Sequence, residues 1–151
     1  MSELLRVFIE TPAGSRKKFI YDDVTLALLD EIDVPLPYPY PYGFLPEHMG
    51  ADGECVDCYL LTNYPNPQGT EVRGRVVGMI EQWEAGAKDH KILIVPEDAP
   101  AELDDAVVET IMAFMRGLFA EFPDMLVTVG PAGSSRAAQQ YLTAFGAPAG
   151  D

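Results

Sequence analysis

Residues 52–58 read Asp-Gly-Glu-Cys-Val-Asp-Cys, and two chemistries overlap there. Cys55 and Cys58 form a C-x-x-C, the spacing of a redox pair or of half a zinc site. Asp52, Glu54 and Asp57 form a carboxylate cluster of the oxygen-donor type that hard divalent cations take. In extended chain residues 52 and 54 share a side, and Asp57 joins them only if a turn or bulge intervenes. Gly53 permits such a bend. Three carboxylates this close repel one another unless a cation lies between them. The structural alternative is a solvated acidic turn.

The cysteines fit packing better than either special role. A thioredoxin-like pair stands at a helix N-terminus, whereas VDCYLL (56–61) has the β-branched and aromatic content of a strand. A zinc site needs two more ligands, and His48 and His90 are the only histidines. A bond between residues three apart closes too small a loop to stabilise the fold much.

Strand signals surround this segment. LLRVFIE (4–10), KKFIY (17–21), VTLALLD (24–30), EVRGRVVGMIEQW (71–83) and HKILIV (90–95) are short, apolar and separated by turn residues. Prolines at 35, 37, 39 and 41 exclude helix from VPLPYPYPYGF (34–44). The glycines in 71–83 predict bends or bulges. Apolar residues then change to helical spacing over about 101–122, with a short strand at 125–129. A second helix is predicted at 134–145, capped by Ser134 or Ser135. The expectation is one α+β domain over residues 1–151: a small closed five-stranded antiparallel barrel with helices outside.

The chain carries 24 acidic and 10 basic residues, a net charge of −14. That excludes nucleic acid, which needs a basic footprint. It also requires bound cations wherever a phosphate compound is the substrate. The opening MSELLRVFIE lacks a signal-peptide h-region, and no apolar run reaches membrane-spanning length. No membrane partner and a cytoplasmic location are therefore expected. A second acidic cluster stands in EAGAKDHK (84–91), where Asp89 and Lys91 share a side in extended chain. Taken alone it is a hairpin loop with a surface ion pair.

Together these segments resemble the family I soluble inorganic pyrophosphatases over about residues 4–146. The family's D-G-D-P-V-D-V stands as D-G-E-C-V-D-C (52–58), its Y-P-x-N-Y-G-Y as Y-P-Y-P-Y-G-F (38–44), and its D-E-A-G-x-D-x-K as E-A-G-A-K-D-H-K (84–91). I-E-T-P (9–12) and Lys18 match its opening strand and lysine. The resemblance implies an oligonucleotide-binding-type barrel and Mg²⁺-dependent hydrolysis of pyrophosphate, bound as its metal complex, with Mn²⁺ as a substitute. It implies that Asp52, Asp57, Asp89, Glu84 and Glu10 bind metal. Glu54 and Asp57 would be catalytic, and Lys18, Tyr42 and Lys91 would contact phosphate. It also implies a homo-oligomer.

The match has gaps. Asp30 stands where the family has an arginine, Ile20 where it has a glutamate, and Phe122-Pro123 where it has a Tyr-Lys pair. Glu54 and Glu84 replace aspartates, each one methylene longer. Two further readings stay open: action on another phosphoanhydride, and a non-catalytic paralogue that binds metal or a partner.

Overall fold

The computed structural model describes residues 4–64 and 66–144. The described chain runs β1 (Leu5–Thr11), β2 (Lys17–Tyr21), β3 (Leu28–Asp33), β4 (Tyr42–Met49), β5 (Cys55–Leu60), β6 (Glu71–Glu84), β7 (Ala87–Lys88), β8 (Lys91–Pro96), α1 (Asp105–Ala120), a 3-10 turn (Pro123–Met125), β9 (Val127–Ser134) and α2 (Ser135–Ala144).

Five strands close into a ring. The order β1-β4-β5-β8-β6 is completed by pairing of β1 with β6, while β7 and β9 extend the sheet from β6. Four contacts of the ring are antiparallel, and β5–β8 is parallel. This corrects the expectation of a purely antiparallel barrel. An odd number of strands cannot alternate direction all the way round a closed ring, so one pair must run parallel. The register Cys58↔Ile92 follows from that pair, and it matters for the site.

Both faces of the ring are covered. Along β8, Ile92 and Ile94 join the cluster that packs with Ala138, Tyr141 and Leu142 of α2. Leu93 and Val95 join the cluster that packs with Val108, Ile111, Phe114 and Met115 of α1. Each such fully buried aliphatic or aromatic side chain is worth about 1.5–3 kcal/mol. The expected bends in β6 are present. The β6–β8 register shifts between Val76 and Gly78. A Cβ on Gly74 would lie 2.4 Å from Ile94 Cγ2 and from the Val95 carbonyl oxygen, so only glycine fits that approach.

Two predicted strands move. The segment expected as 24–30 is instead a turn followed by β3, because Asp22 Oδ1 accepts from the amides of Val24 and Thr25. The strand expected at 125–129 starts at Val127 and continues to Ser134. The first helix is shorter than its apolar period. Asp104 caps it by accepting from the Ala106 amide at 2.9 Å, and it ends before Pro123. Ser134 Oγ accepts from the Ala137 amide, as expected for the second helix; Phe145 lies outside the described residues.

β2 and β3 form a separate hairpin. It is held to β1 by side-chain oxygens: Thr11 Oγ1 accepts from the Phe19 amide, and Glu10 Oε2 from the Tyr21 amide. Among the described residues no helix is long and apolar enough to cross a membrane.

Candidate functional site

The turn before β5 bends where the sequence allows it. Gly53 adopts a φ of +83°, and the Gly50 amide donates to the Glu54 carbonyl. Asp52 Oδ1 accepts from the Glu54 amide at 3.0 Å. This turn brings Asp52, Glu54 and Asp57 to one cavity of about 170 Å³. Glu84 at the end of β6 and Asp89 in the following loop reach the same cavity, as do Lys18, Tyr42 and Lys91. Eight of the predicted site residues thus converge although they come from β2, β4, β5, β6, β8 and two turns.

The parallel register explains the centre of this arrangement. With Cys58 opposite Ile92, the preceding residues Asp57 and Lys91 are neighbours. Lys91 Nζ lies 2.7 Å from Asp57 Oδ2 and 3.2 Å from Asp89 Oδ1, and Lys91 is 5% exposed. Burial alone would lower the Lys91 pKa; the attraction of Asp57 and Asp89 outweighs it and holds the ammonium above its ordinary value. Lys18 and Lys91 both approach the Tyr42 ring, at 5.9 and 5.6 Å from its centroid. Burial, then the charge of Asp57, pushes the Tyr42 hydroxyl well above its usual pKa, so it remains a proton donor.

The carboxylates strain against one another. Burial raises the Glu54 pKa, and Asp52, Asp23, Asp57 and Asp89 raise it further. Asp89 is also raised by burial and by Asp57, against the pull of Lys91.

Glu10 departs from the expected set. It lines an adjoining cavity of about 500 Å³ rather than the inner one. It is 7% exposed, and burial followed by Asp57 pushes it up to about 8. The reason is positional: its Oε2 is occupied by the Tyr21 amide of the hairpin. The two cavities share Lys18, Tyr42, Glu54 and Asp57.

Sequence reading missed several neighbours. Tyr38 and Tyr59 line the inner cavity, and so does Gln82. Strand alternation from Glu84 was the available signal for Gln82, two residues earlier on the same face. Gln82 is 2% exposed. Its Nε2 donates to Asp89 Oδ2 at 3.2 Å, while its buried Oε1 has no donor among the described residues. Asp23 joins from the hairpin turn and accepts from the Cys55 amide at 2.8 Å. Nothing in the local sequence marks that contact, 32 residues apart.

The residues present fit a divalent cation by donor type and charge. Five carboxylates line one small space, an oxygen-donor set. They are not preassembled. Among the described residues no three His, Cys, Asp or Glu side chains already form a metal-holding group. The Lys91 ammonium occupies the position between Asp57 and Asp89. Cys55 packs with Phe8 and Phe44 and also lines the outer cavity, Cys58 lies in the cluster that packs on α2, and both are free thiols and buried.

The family model for inorganic pyrophosphatase matches residues 7–122. The chain belongs to the inorganic pyrophosphatase family. The inorganic pyrophosphatase of Synechocystis sp. is 37% identical over 99 residues, covering 64% of this chain and 59% of that protein. That of Gluconobacter oxydans is 35% identical over 96 residues, covering 62% and 56%. The matches thus span less than two thirds of these family members' length. An inorganic pyrophosphatase structure from Coxiella burnetii superposes with a TM-score of 0.86 at 25% identity, covering 95% of this chain and 93% of that chain. The Thermus thermophilus family member gives 0.84 at 26% identity, covering 95% and 89%. The shared family fold includes the ring and both helices.

Proposed function

We propose that this chain hydrolyses inorganic pyrophosphate to two phosphates with the help of divalent cations, Mg²⁺ foremost and Mn²⁺ as a substitute. The observation that carries this is the convergence of Asp52, Glu54, Asp57, Glu84 and Asp89 with Lys18, Lys91 and Tyr42 on one cavity, in a chain of this family.

Asp52, Asp57, Asp89 and Glu84 would hold the cations. When bound, these supply a water acidified toward neutrality and counter-charge for the phosphates. Glu54 takes the proton from the attacking water; its raised pKa suits a base that must also release that proton. Asp57 has two tasks, as cation holder and, with Glu54, in orienting the water. Lys91 keeps Asp57 and Asp89 apart from each other and aimed at the cavity. Lys18 and the Tyr42 hydroxyl offer donors to the phosphoryl group under attack. Glu10 anchors the hairpin that carries Lys18. No side chain needs to act as a covalent nucleophile. A cytoplasmic homo-oligomer is the assembly that accompanies this reading.

The test is phosphate release from pyrophosphate by the purified protein with Mg²⁺, with EDTA, and in the Asp57→Asn variant. Release that needs Mg²⁺ and vanishes in a folded variant supports the proposal. A folded wild-type protein that releases no more phosphate than the variant refutes it.

A further inference from the structure

Strand alternation decides which side chains of β5 reach the inner cavity. Val56, Cys58 and Leu60 join the cluster that packs on α2. Asp57 and Tyr59 turn the other way, and both line the inner cavity. β5 is paired along both edges, with Tyr42 of β4 and Leu93 of β8 opposite Tyr59. The two ladders that bring Asp57 beside Lys91 therefore also set Tyr59. Its ring meets the Tyr42 ring edge-on at a centroid distance of 4.9 Å. The Tyr42 ring lies 5.4 Å from that of Tyr38, which packs on Phe114 of α1. Tyr38 lines the same cavity but lies in the proline-rich loop, outside the strands.

Packing accounts for the Tyr59 ring but not for its hydroxyl. Tyr59 is 2% exposed, and among the described residues its hydroxyl makes no hydrogen bond. Nor is that oxygen sealed in, as Gln82 Oε1 is, so it opens onto the cavity that the residue lines. Burial raises the pKa of the phenol; Tyr38, Asp57 and Asp89 add to the rise and Lys91 opposes it. The group keeps its proton, and the charges that reach it are those of the site. Phenylalanine would supply the same ring without the cost of burying a hydroxyl that has no partner.

We propose that Tyr59 is a further substrate-binding residue, whose hydroxyl donates to a phosphate oxygen of pyrophosphate held as its cation complex. This rests on the hydrolytic reading above and adds a donor to Lys18 and Tyr42. Bound cations coordinate some phosphate oxygens and leave lone pairs on the others for protein donors. A hydrogen bond from a hydroxyl to a charged oxygen is stronger than one between neutral groups. Being neutral, the phenol adds that bond without adding charge to the wall where the cations bind. Tyr59 binds and orients; no bond to phosphorus forms or breaks there.

The experiment compares the full chain with its Tyr59→Phe variant in three readouts. These are pyrophosphate hydrolysis with Mg²⁺, calorimetric binding of inorganic phosphate with Mg²⁺, and thermal melting in EDTA without phosphate. The substitution keeps the ring and removes only the hydroxyl, so the melting temperature should stay the same or rise. The kcat/KM for pyrophosphate and the phosphate affinity should each fall about ten-fold. Unchanged kcat/KM and unchanged phosphate affinity overturn this inference and leave the hydrolytic reading standing. A loss of both accompanied by a lower melting temperature assigns the hydroxyl to the fold and also overturns it. Folded wild-type protein that hydrolyses no pyrophosphate overturns the hydrolytic reading. In that case a phosphate affinity that still falls in Tyr59→Phe upholds the hydroxyl as an oxyanion donor, and one that does not fall overturns both.

Discussion

The two walls of the cavity were built by different kinds of residue, and they differ in what holds them. The wall on β5, β6 and β8 is polar and cross-linked: Gln82 to Asp89, Asp89 to Lys91, Lys91 to Asp57. The wall on α1 and the 3-10 turn is apolar and held by packing, with the Phe114 ring tilted against Tyr38 at a centroid distance of 4.8 Å and Leu118 and Phe119 one turn further on. The resemblance sets the family's Tyr-Lys pair at Phe122-Pro123, in the turn that leads to Met125 of the second wall. Hydrogen bonds and ion pairs fix the first wall's side chains in direction, whereas packing fixes the second by shape alone.

The largest test of the polar wall is Lys91→Met. It leaves Asp57 and Asp89 facing each other without their ammonium, and loss of one partner of a buried ion pair costs about 3–5 kcal/mol. Urea unfolding in EDTA should show that loss, and added Mg²⁺ should recover part of it by binding the folded state. An unchanged midpoint would mean that the wall is not organised by Lys91.

Glu10 gives the next effect. Its pKa is raised from 4.5 to about 8 by burial and Asp57. A carboxyl with a raised folded pKa gives stability that is full at low pH and lost as pH climbs from the unfolded value toward the folded one. Thermal melts in EDTA should therefore fall between pH 4.5 and 8. In Glu10→Gln that slope should flatten, with the relative gain greatest at the upper end. A slope unchanged by the substitution would break this account of the hairpin anchor.

Gln82→Leu is smaller. It removes the donor to Asp89 and the orphaned oxygen together. Losing such an outer partner of an ion-binding carboxylate should weaken Mg²⁺ binding about ten-fold by calorimetry, and Gln82→Glu, which loses the same donor, should weaken it as well. Unchanged affinity in both would assign Gln82 to packing alone. The smallest effect is expected from replacing Cys55 and Cys58 together by Val: Mg²⁺ affinity unchanged in a protein folded by circular dichroism. Loss of binding would return the cysteines to the site.

Asp52, Glu54, Asp57, Glu84, Asp89 and Lys91 lie within two short segments, but local spacing alone left the second a surface hairpin; the family resemblance singled it out, and the structure brings both segments to one cavity. The parallel β5–β8 pair was not legible, because ring closure is a property of five strands together. Gln82 was concealed in an apolar strand, although alternation from Glu84 pointed to it. Asp23 and the apolar wall depend on contacts between distant segments, which no local period encodes. The 24–30 strand failed for a local reason, the Asp22 turn.

β6 is bonded along both edges, to β1, β8, β9 and β7 in succession, whereas the β2–β3 hairpin touches the main sheet through side chains. Backbone amides should thus exchange with deuterium on two clocks, the hairpin's far faster than those of mid-β6. Gln82 and Glu84 ride on the slow strand and Lys18 on the fast one. A substrate that bridges them ties the two clocks together, and its arrival should be visible as protection of β2 before any product forms.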